Sequence, residues 1–222
     1  MSSQDAGLIL MSDSRVAAIP VHDNGEPLIN LLTDQRFRID ESRKHINSLT
    51  TDFSSLRLGV VTRLLAAQEQ LPAEITFLIR EGHRTLSVQQ TLFDRYSAIL
   101  RKRHPDCSEE ELLAEVSRFV APPSIAPHST GGALDLTLVY RDTGLELEMG
   151  SDFNAEPSKA AGATYTAAVN ITPVAKEHRE ILCNTMQSAG FVNYPSEWWH
   201  WSYGDRYWAL VSKQPFAVYG GI

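Results

Sequence analysis

The sequence predicts a single α+β domain. Three observations carry this. Residues 55–120 hold three segments with helical spacing of apolar residues, around a short apolar run at 75–80. Residues 133–139 alternate apolar and polar side chains. Beyond Gly190 the chain reads as strands and turns. A chain of 222 residues suits one domain with a sizeable core. The core is expected over 51–222, with 1–50 as an N-terminal segment packed against it.

Taken in order, HDNGEPL (His22 to Leu28) is a turn centred on Asn24-Gly25. Ser55 to Leu71 reads as a helix through Leu56, Val60, Leu64 and Leu71, and Pro72 stops it. ITFLIR (Ile75 to Arg80) is a short buried strand that runs into Gly82-His83-Arg84. Val88, Leu92, Tyr96 and Ile99 mark a second helix from Ser87 to Arg103. Ser108 and Glu111 form a capping box for a third, ending near Val120. APPSIAP is a proline-rich loop. In ALDLTLV, Leu134, Leu136 and Leu138 face one way, and Asp135 and Thr137 the other. Thr172 caps a last long helix with Pro173 at its first position, and Gly190 closes it.

Composition excludes several function classes. Hydrophobic content of 43% and charged content of 21% are those of a globular protein. A net charge of −7 leaves no basic excess for a nucleic-acid backbone. No stretch approaches the roughly 20 apolar residues of a membrane span. Cys107 and Cys183 stand in unrelated contexts, without the spacing of a zinc knuckle or a disulfide framework. The apolar run Leu8 to Met11 is too short for a signal-peptide core, so the expected location is the cytoplasm.

Chemistry concentrates in two stretches. PHSTGGALDLTL places His128 in a loop and Asp135 on the following strand, with Gly131-Gly132 between them to let the loop fold back. PSEWWHWSYG supplies Glu197 and His200. His128, Asp135 and His200 make two imidazoles and a carboxylate, the ligand composition of a catalytic zinc ion with one open position. Glu197 is then the candidate general base. Residues three apart on a regular strand face opposite ways, so the backbone at Trp198-Trp199 must turn for Glu197 and His200 to meet. The tryptophans are expected to wall the site and lower its dielectric. Arg84, at the end of the 75–80 strand, is the candidate donor to a developing oxyanion. Singly, each residue has an ordinary structural role: a hydrogen-bonded histidine, a carboxylate paired across a sheet, an aromatic core segment, a helix-side ion pair. His22, His45, His83, His104 and His178 are read in that way.

In this order, the motifs resemble the zinc D-alanyl-D-alanine dipeptidases of the VanX type, among the D,D-peptidases. GHRTLSVQQTLFD, HPDCSEEELLAEVSRFVAPPS, PHSTGGALDLTL, MGSDF and GFVNYPSEWWHWSYGD carry the resemblance, from about residue 50 to the C-terminus. It implies the D,D-peptidase fold, an α+β domain with a central antiparallel sheet flanked by helices, which hedgehog-like signalling proteins share. It implies zinc held by His128, Asp135 and His200, Glu197 as base and Arg84 as oxyanion stabiliser. It also implies a cytoplasmic enzyme of peptidoglycan metabolism that cleaves the free dipeptide D-Ala-D-Ala.

The chain departs from the pattern in three places. His83 and Thr85 replace the tyrosine and proline that flank the arginine, and Ala126 stands where some members carry serine. The aspartate that pairs with the substrate ammonium falls on Asn154, whose amide accepts a hydrogen bond but brings no charge; Asp152 is the candidate substitute. The alternatives are a D,D-carboxypeptidase acting on peptidoglycan peptides and a catalytically silent zinc-binding module. Retention of Glu197 and Arg84 favours the enzyme.

Overall fold

The computed structural model describes residues 8–43, 51–117, 119–155 and 159–222. His45 lies outside them. Seven strands and six α-helices are described. The strands are β1 (Leu28–Asn30), β2 (Arg38–Ile39), β3 (Ser55–Arg57), β4 (Ile75–Glu81), β5 (Ala133–Tyr140), β6 (Val192–Asn193) and β7 (His200–Ser202). The helices are α1 (Ser14–Ala18), α2 (Leu58–Gln68), α3 (Leu86–Arg103), α4 (Glu109–Val116), α5 (Pro173–Ser188) and α6 (Arg206–Val211).

The architecture is α+β, built on a five-stranded sheet of order β2-β4-β5-β7-β6. β4, β5, β7 and β6 pair antiparallel, but β2 runs parallel to β4, so the sheet is mixed. The parallel pair is two residues long, Arg38↔Leu78 and Ile39↔Ile79, too short to leave a periodic signal. β5 is central and buried along all but its last residue. Leu134, Leu136 and Leu138 are fully buried, each contributing about 1.5–3 kcal/mol relative to exposure. They join Leu64, Leu182 and Trp201 in the main core.

The segment expected as one helix from Ser55 divides. Ser55–Arg57 forms β3, paired antiparallel with β1, and the helix α2 begins at Leu58. Only long-range pairing selects a strand there, and three residues carry too little periodicity to show it. α3 buries Gln89 and Leu100, while Ile99 is exposed, so the packed face is rotated from the one the apolar spacing marks. The capping box at Ser108 and Glu111 is present, and α4 ends at Val116 rather than near Val120. Thr172 caps α5, with Pro173 first, and Gly190 follows it at φ +86°. The C-terminal region holds a helix that periodicity alone does not reveal. α6 has six residues, with Asp205 at its N-cap accepting from Trp208 N at 2.8 Å.

The described part of the N-terminal segment is woven into this core. β1 and β2 each pair with core strands, Leu31 is fully buried, and α1 packs on α6 through Val16 and Tyr207. The buried Arg57 binds Asp23 at 2.8 Å and the Thr130 carbonyl at 2.9 Å, which fixes the N-terminal turn against the loop before β5. Among the described residues no helix is long and apolar enough to cross a membrane.

Candidate active site

Three strands bring three carboxylate and imidazole side chains into one row. Glu81 on β4 stands opposite Asp135 on β5, and Asp135 stands opposite His200 on β7. A bulge creates half of this row. Ile79 pairs with Leu136, yet the next partner, that of Asp135, is Glu81 and not Arg80. One extra residue in β4 thus replaces a guanidinium by a carboxylate beside the site. Arg80 instead pairs with Asp40 and Glu146.

His128 arrives from the short 3-10 turn Pro127–Thr130. Gly131 reverses the chain at φ +70°, and a Cβ there would run into the side chain of Leu28. At Gly132 an added Cβ would lie 2.5 Å from the Tyr203 carbonyl oxygen. The two glycines therefore allow the close turn that returns the chain from His128 into β5. The Nδ1 of His128 donates to the Gly82 carbonyl at 2.7 Å, which leaves Nε2 as a lone pair facing inward.

The inward atoms form a tight triangle. His128 Nε2 is 3.2 Å from His200 Nδ1 and 3.3 Å from Asp135 Oδ1, and His200 Nδ1 is 3.0 Å from the same oxygen. All three residues are buried. A tetrahedral ion about 2.0–2.1 Å from each ligand would space them roughly 3.3–3.4 Å apart, so the donors already stand near that spacing. The far nitrogen of His200, Nε2, is buried with no hydrogen-bond partner among the described residues. The donor set fits a divalent ion. Burial by itself would raise the Asp135 carboxyl, but His128 and His200 hold it far below the ordinary carboxylate range. Burial opposes charge on His128, and Asp135 outweighs it, so that imidazole is raised.

Glu197 occupies the turn before β7. Its N–H donates to the Tyr194 carbonyl at 2.9 Å, and its own carbonyl accepts from His200 N at 3.2 Å. This is the turn at Trp198-Trp199 that the three-residue spacing requires. Asn193 braces it, donating from Nδ2 to the carbonyls of both Glu197 and His200 at 3.0 Å. The Glu197 carboxyl titrates well above its usual range, first through burial and then through the charge of Asp135, with Arg84 pulling the other way. Of the tryptophans, Trp199 lines the same cavity as Glu197, Trp198 faces a neighbouring groove and Trp201 is core.

Arg84 lies just beyond β4, its backbone N–H on the His128 carbonyl at 3.2 Å. Its Nε binds Glu81 Oε1 at 2.6 Å and its Nη1 binds Gln89 Oε1 at 2.9 Å. Burial opposes its charge, and Glu81 more than offsets that. Arg84, His128, Asp135, Glu197 and His200 thus line one cavity.

Asn154 joins them at φ +59°, a left-handed conformation that asparagine tolerates. Asp152 does not. It lines an adjacent groove with Arg80, Glu146 and Phe153, because the turn at 152–155 carries Asn154 inward and leaves Asp152 outside. Gln89, Tyr194 and Met11 also line the cavity and were not anticipated. Nothing in the sequence marks Gln89 or Met11. The remaining histidines lie outside the cavity. His178 binds the Glu148 carbonyl, His22 stacks near Phe216, His104 caps α3, and His83 is buried beside Ile222.

Comparison with known proteins gives one consistent result. Residues 59–218 match the model of peptidase family M15, described as D-ala-D-ala dipeptidase. A D-alanyl-D-alanine dipeptidase of Synechocystis sp. is 32% identical over 92% of this chain and 95% of its own. One of Enterococcus faecalis is 33% identical over 47% of this chain and 48% of its own. One of Escherichia coli is 38% identical over 33% of this chain and 35% of its own. Among solved structures, VanYB in complex with D-Alanine-D-Alanine aligns over 72% of this chain and 79% of that one, at 16% identity and a TM-score of 0.43, too distant to bear on the assignment.

Proposed function

The chain belongs to the D-ala-D-ala dipeptidase family, and from that premise we propose that it hydrolyses the D-Ala-D-Ala dipeptide by a zinc-dependent mechanism. The observation that carries this reading is the triangle of His128, Asp135 and His200 at 3.0–3.3 Å, in one cavity with Glu197 and Arg84. A zinc ion held there would supply Lewis acidity and a water with a pKa of about 7.

The chain's own groups divide the remaining work. Glu197 takes a proton from the attacking water and later gives it to the leaving amine, the exchange expected of a buried carboxyl with a raised pKa. Arg84 donates to the carbonyl oxygen of the scissile amide as charge gathers on it. The Gly82 carbonyl holds the His128 imidazole in a fixed orientation through its far nitrogen. Asn154 receives the substrate's ammonium through its amide oxygen, with hydrogen bonding but no charge. The site therefore cuts the dipeptide with a higher KM, or with a broader range of amino termini, than an aspartate would give.

Release of free D-alanine from D-Ala-D-Ala tests the reading. The zinc-loaded protein is compared with a chelated sample and with Glu197→Ala. Turnover in the first and loss in both controls is the expected result. No turnover in the zinc-loaded protein overturns the dipeptidase assignment and leaves a peptidase acting on a different D-amino-acid peptide or a silent binding module.

A further inference from the structure

We propose that Gln89 is a positioning residue that sets the plane of the Arg84 guanidinium over the cavity. The inference rests on the reading of Arg84 as donor to the scissile carbonyl. Gln89 is 1% exposed, in the first turns of α3. A buried amide is costly unless both its ends are bonded, and here both are. Oε1 accepts from Arg84 Nη1 at 2.9 Å, and Nε2 donates to the Ala121 carbonyl at 2.7 Å. The second bond decides the first. An amide NH2 must face the carbonyl of Ala121, so the amide oxygen must face the arginine.

Glu81 alone does not orient Arg84. It holds Nε at 2.6 Å, and one contact leaves the guanidinium free to swing about that axis. A second contact at Nη1 fixes the plane. Neither contact uses Nη2, which is left as the donor edge for a substrate oxygen. Ala121 itself borders the cavity, so Gln89 also ties Arg84 to the wall that runs toward His128. Catalytic donors act through fixed direction, and a guanidinium free to rotate loses much of its effect in the transition state while binding the ground state almost as well.

The test uses Gln89→Met and Gln89→Glu, each in the native and in the Arg84→Lys background. The readouts are kcat, KM, the thermal midpoint and nitrogen-15 NMR of the Arg84 guanidinium. Gln89→Met is expected to lower kcat by about 10- to 100-fold, part of what loss of an oxyanion donor costs, with KM changed less than about threefold. Gln89→Glu keeps the acceptor for Arg84 but loses the donor to Ala121, so it recovers only part of kcat, above Gln89→Met. In the Arg84→Lys background, Gln89→Met costs less than about threefold more. Rotation of the Arg84 Nη groups is restricted in the native protein, released by Gln89→Met and restricted again in Gln89→Glu. An equal loss of kcat in both backgrounds, or an Arg84 signal unmoved by Gln89→Met, overturns the proposal. Should Gln89→Met not fold, a mobile Arg84 in Gln89→Glu overturns it and an ordered one supports it. A native protein inactive on D-Ala-D-Ala would refute the assigned function, while the NMR comparison still decides the positioning.

Discussion

The cavity has two halves of different construction. One is borne on strands. Glu81, Asp135 and His200 sit opposite one another across β4, β5 and β7, and His128 is clipped to Gly82 at 2.7 Å. The other half is the segment from Met149 to Thr166, which carries Asn154 and in its described residues forms no helix or strand. One side chain holds three of its carbonyls. The buried Arg179 donates to the carbonyls of Met149, Ala163 and Tyr165 at 2.6–2.7 Å, and its guanidinium stands 5.6 Å from the Trp198 ring centre. Trp198 adds bonds to Thr164 and Ser151. The half that holds His128, Asp135 and His200 is thus set by the sheet that builds the core, whereas the half that carries Asn154, proposed to meet the substrate's ammonium, is set by Arg179 and a few further hydrogen bonds. Chemistry that needs ligands placed to tenths of an ångström falls on the first.

Perturbing each half should break this contrast or sharpen it. The largest effect is expected from Glu197→Ala, which lowers kcat by about 10²–10⁴ while zinc stoichiometry stays at the native level; steady-state kinetics with metal analysis checks both. Arg179→Met comes next. Three carbonyls lose a charged donor, a destabilisation of about 3 kcal/mol or more. Hydrogen exchange should rise between 149 and 166, and KM should rise with zinc still bound. Loss of zinc in that variant would mean that the halves are not independent. Asn193→Ala removes a second donor from the carbonyls of Glu197 and His200, each of which keeps a backbone partner, and should cost about 1 kcal/mol in thermal stability together with a fall in kcat. The smallest effect is Asn154→Asp, expected to lower KM by up to about tenfold with kcat nearly unchanged. An unchanged KM would remove Asn154 from amine recognition.

The contrast also explains what was legible in the sequence. His128, Asp135, His200, Glu197 and Arg84 stood out because their residue types and order carry the chemistry, and the family resemblance weights them jointly. Their supports did not. Glu81 reaches Arg84 only through a bulge, and a bulge is invisible until the partner strand's register is known. Gln89 reads as an ordinary residue of a polar helix, and Asn193 as one of a short strand. Asp152 was the natural substitute for a missing charge, yet two residues along a turn place it in another groove. In the fold, long periodic elements such as α3, β5 and α5 were readable. β3, the parallel β2 and α6 were not, because elements of two to six residues owe their form to tertiary contacts.

The central claim is that β5, β7 and the turn before β5 present a preformed site for one zinc ion. Competition against a chromophoric chelator measures it directly, on the native protein and on His128→Ala, Asp135→Asn, His200→Ala and Asp152→Asn. The account predicts one zinc per chain in the native protein, loss of tight binding in the first three variants and native binding in the fourth. Tight binding retained without His128, Asp135 or His200, or none in the native protein, would contradict it.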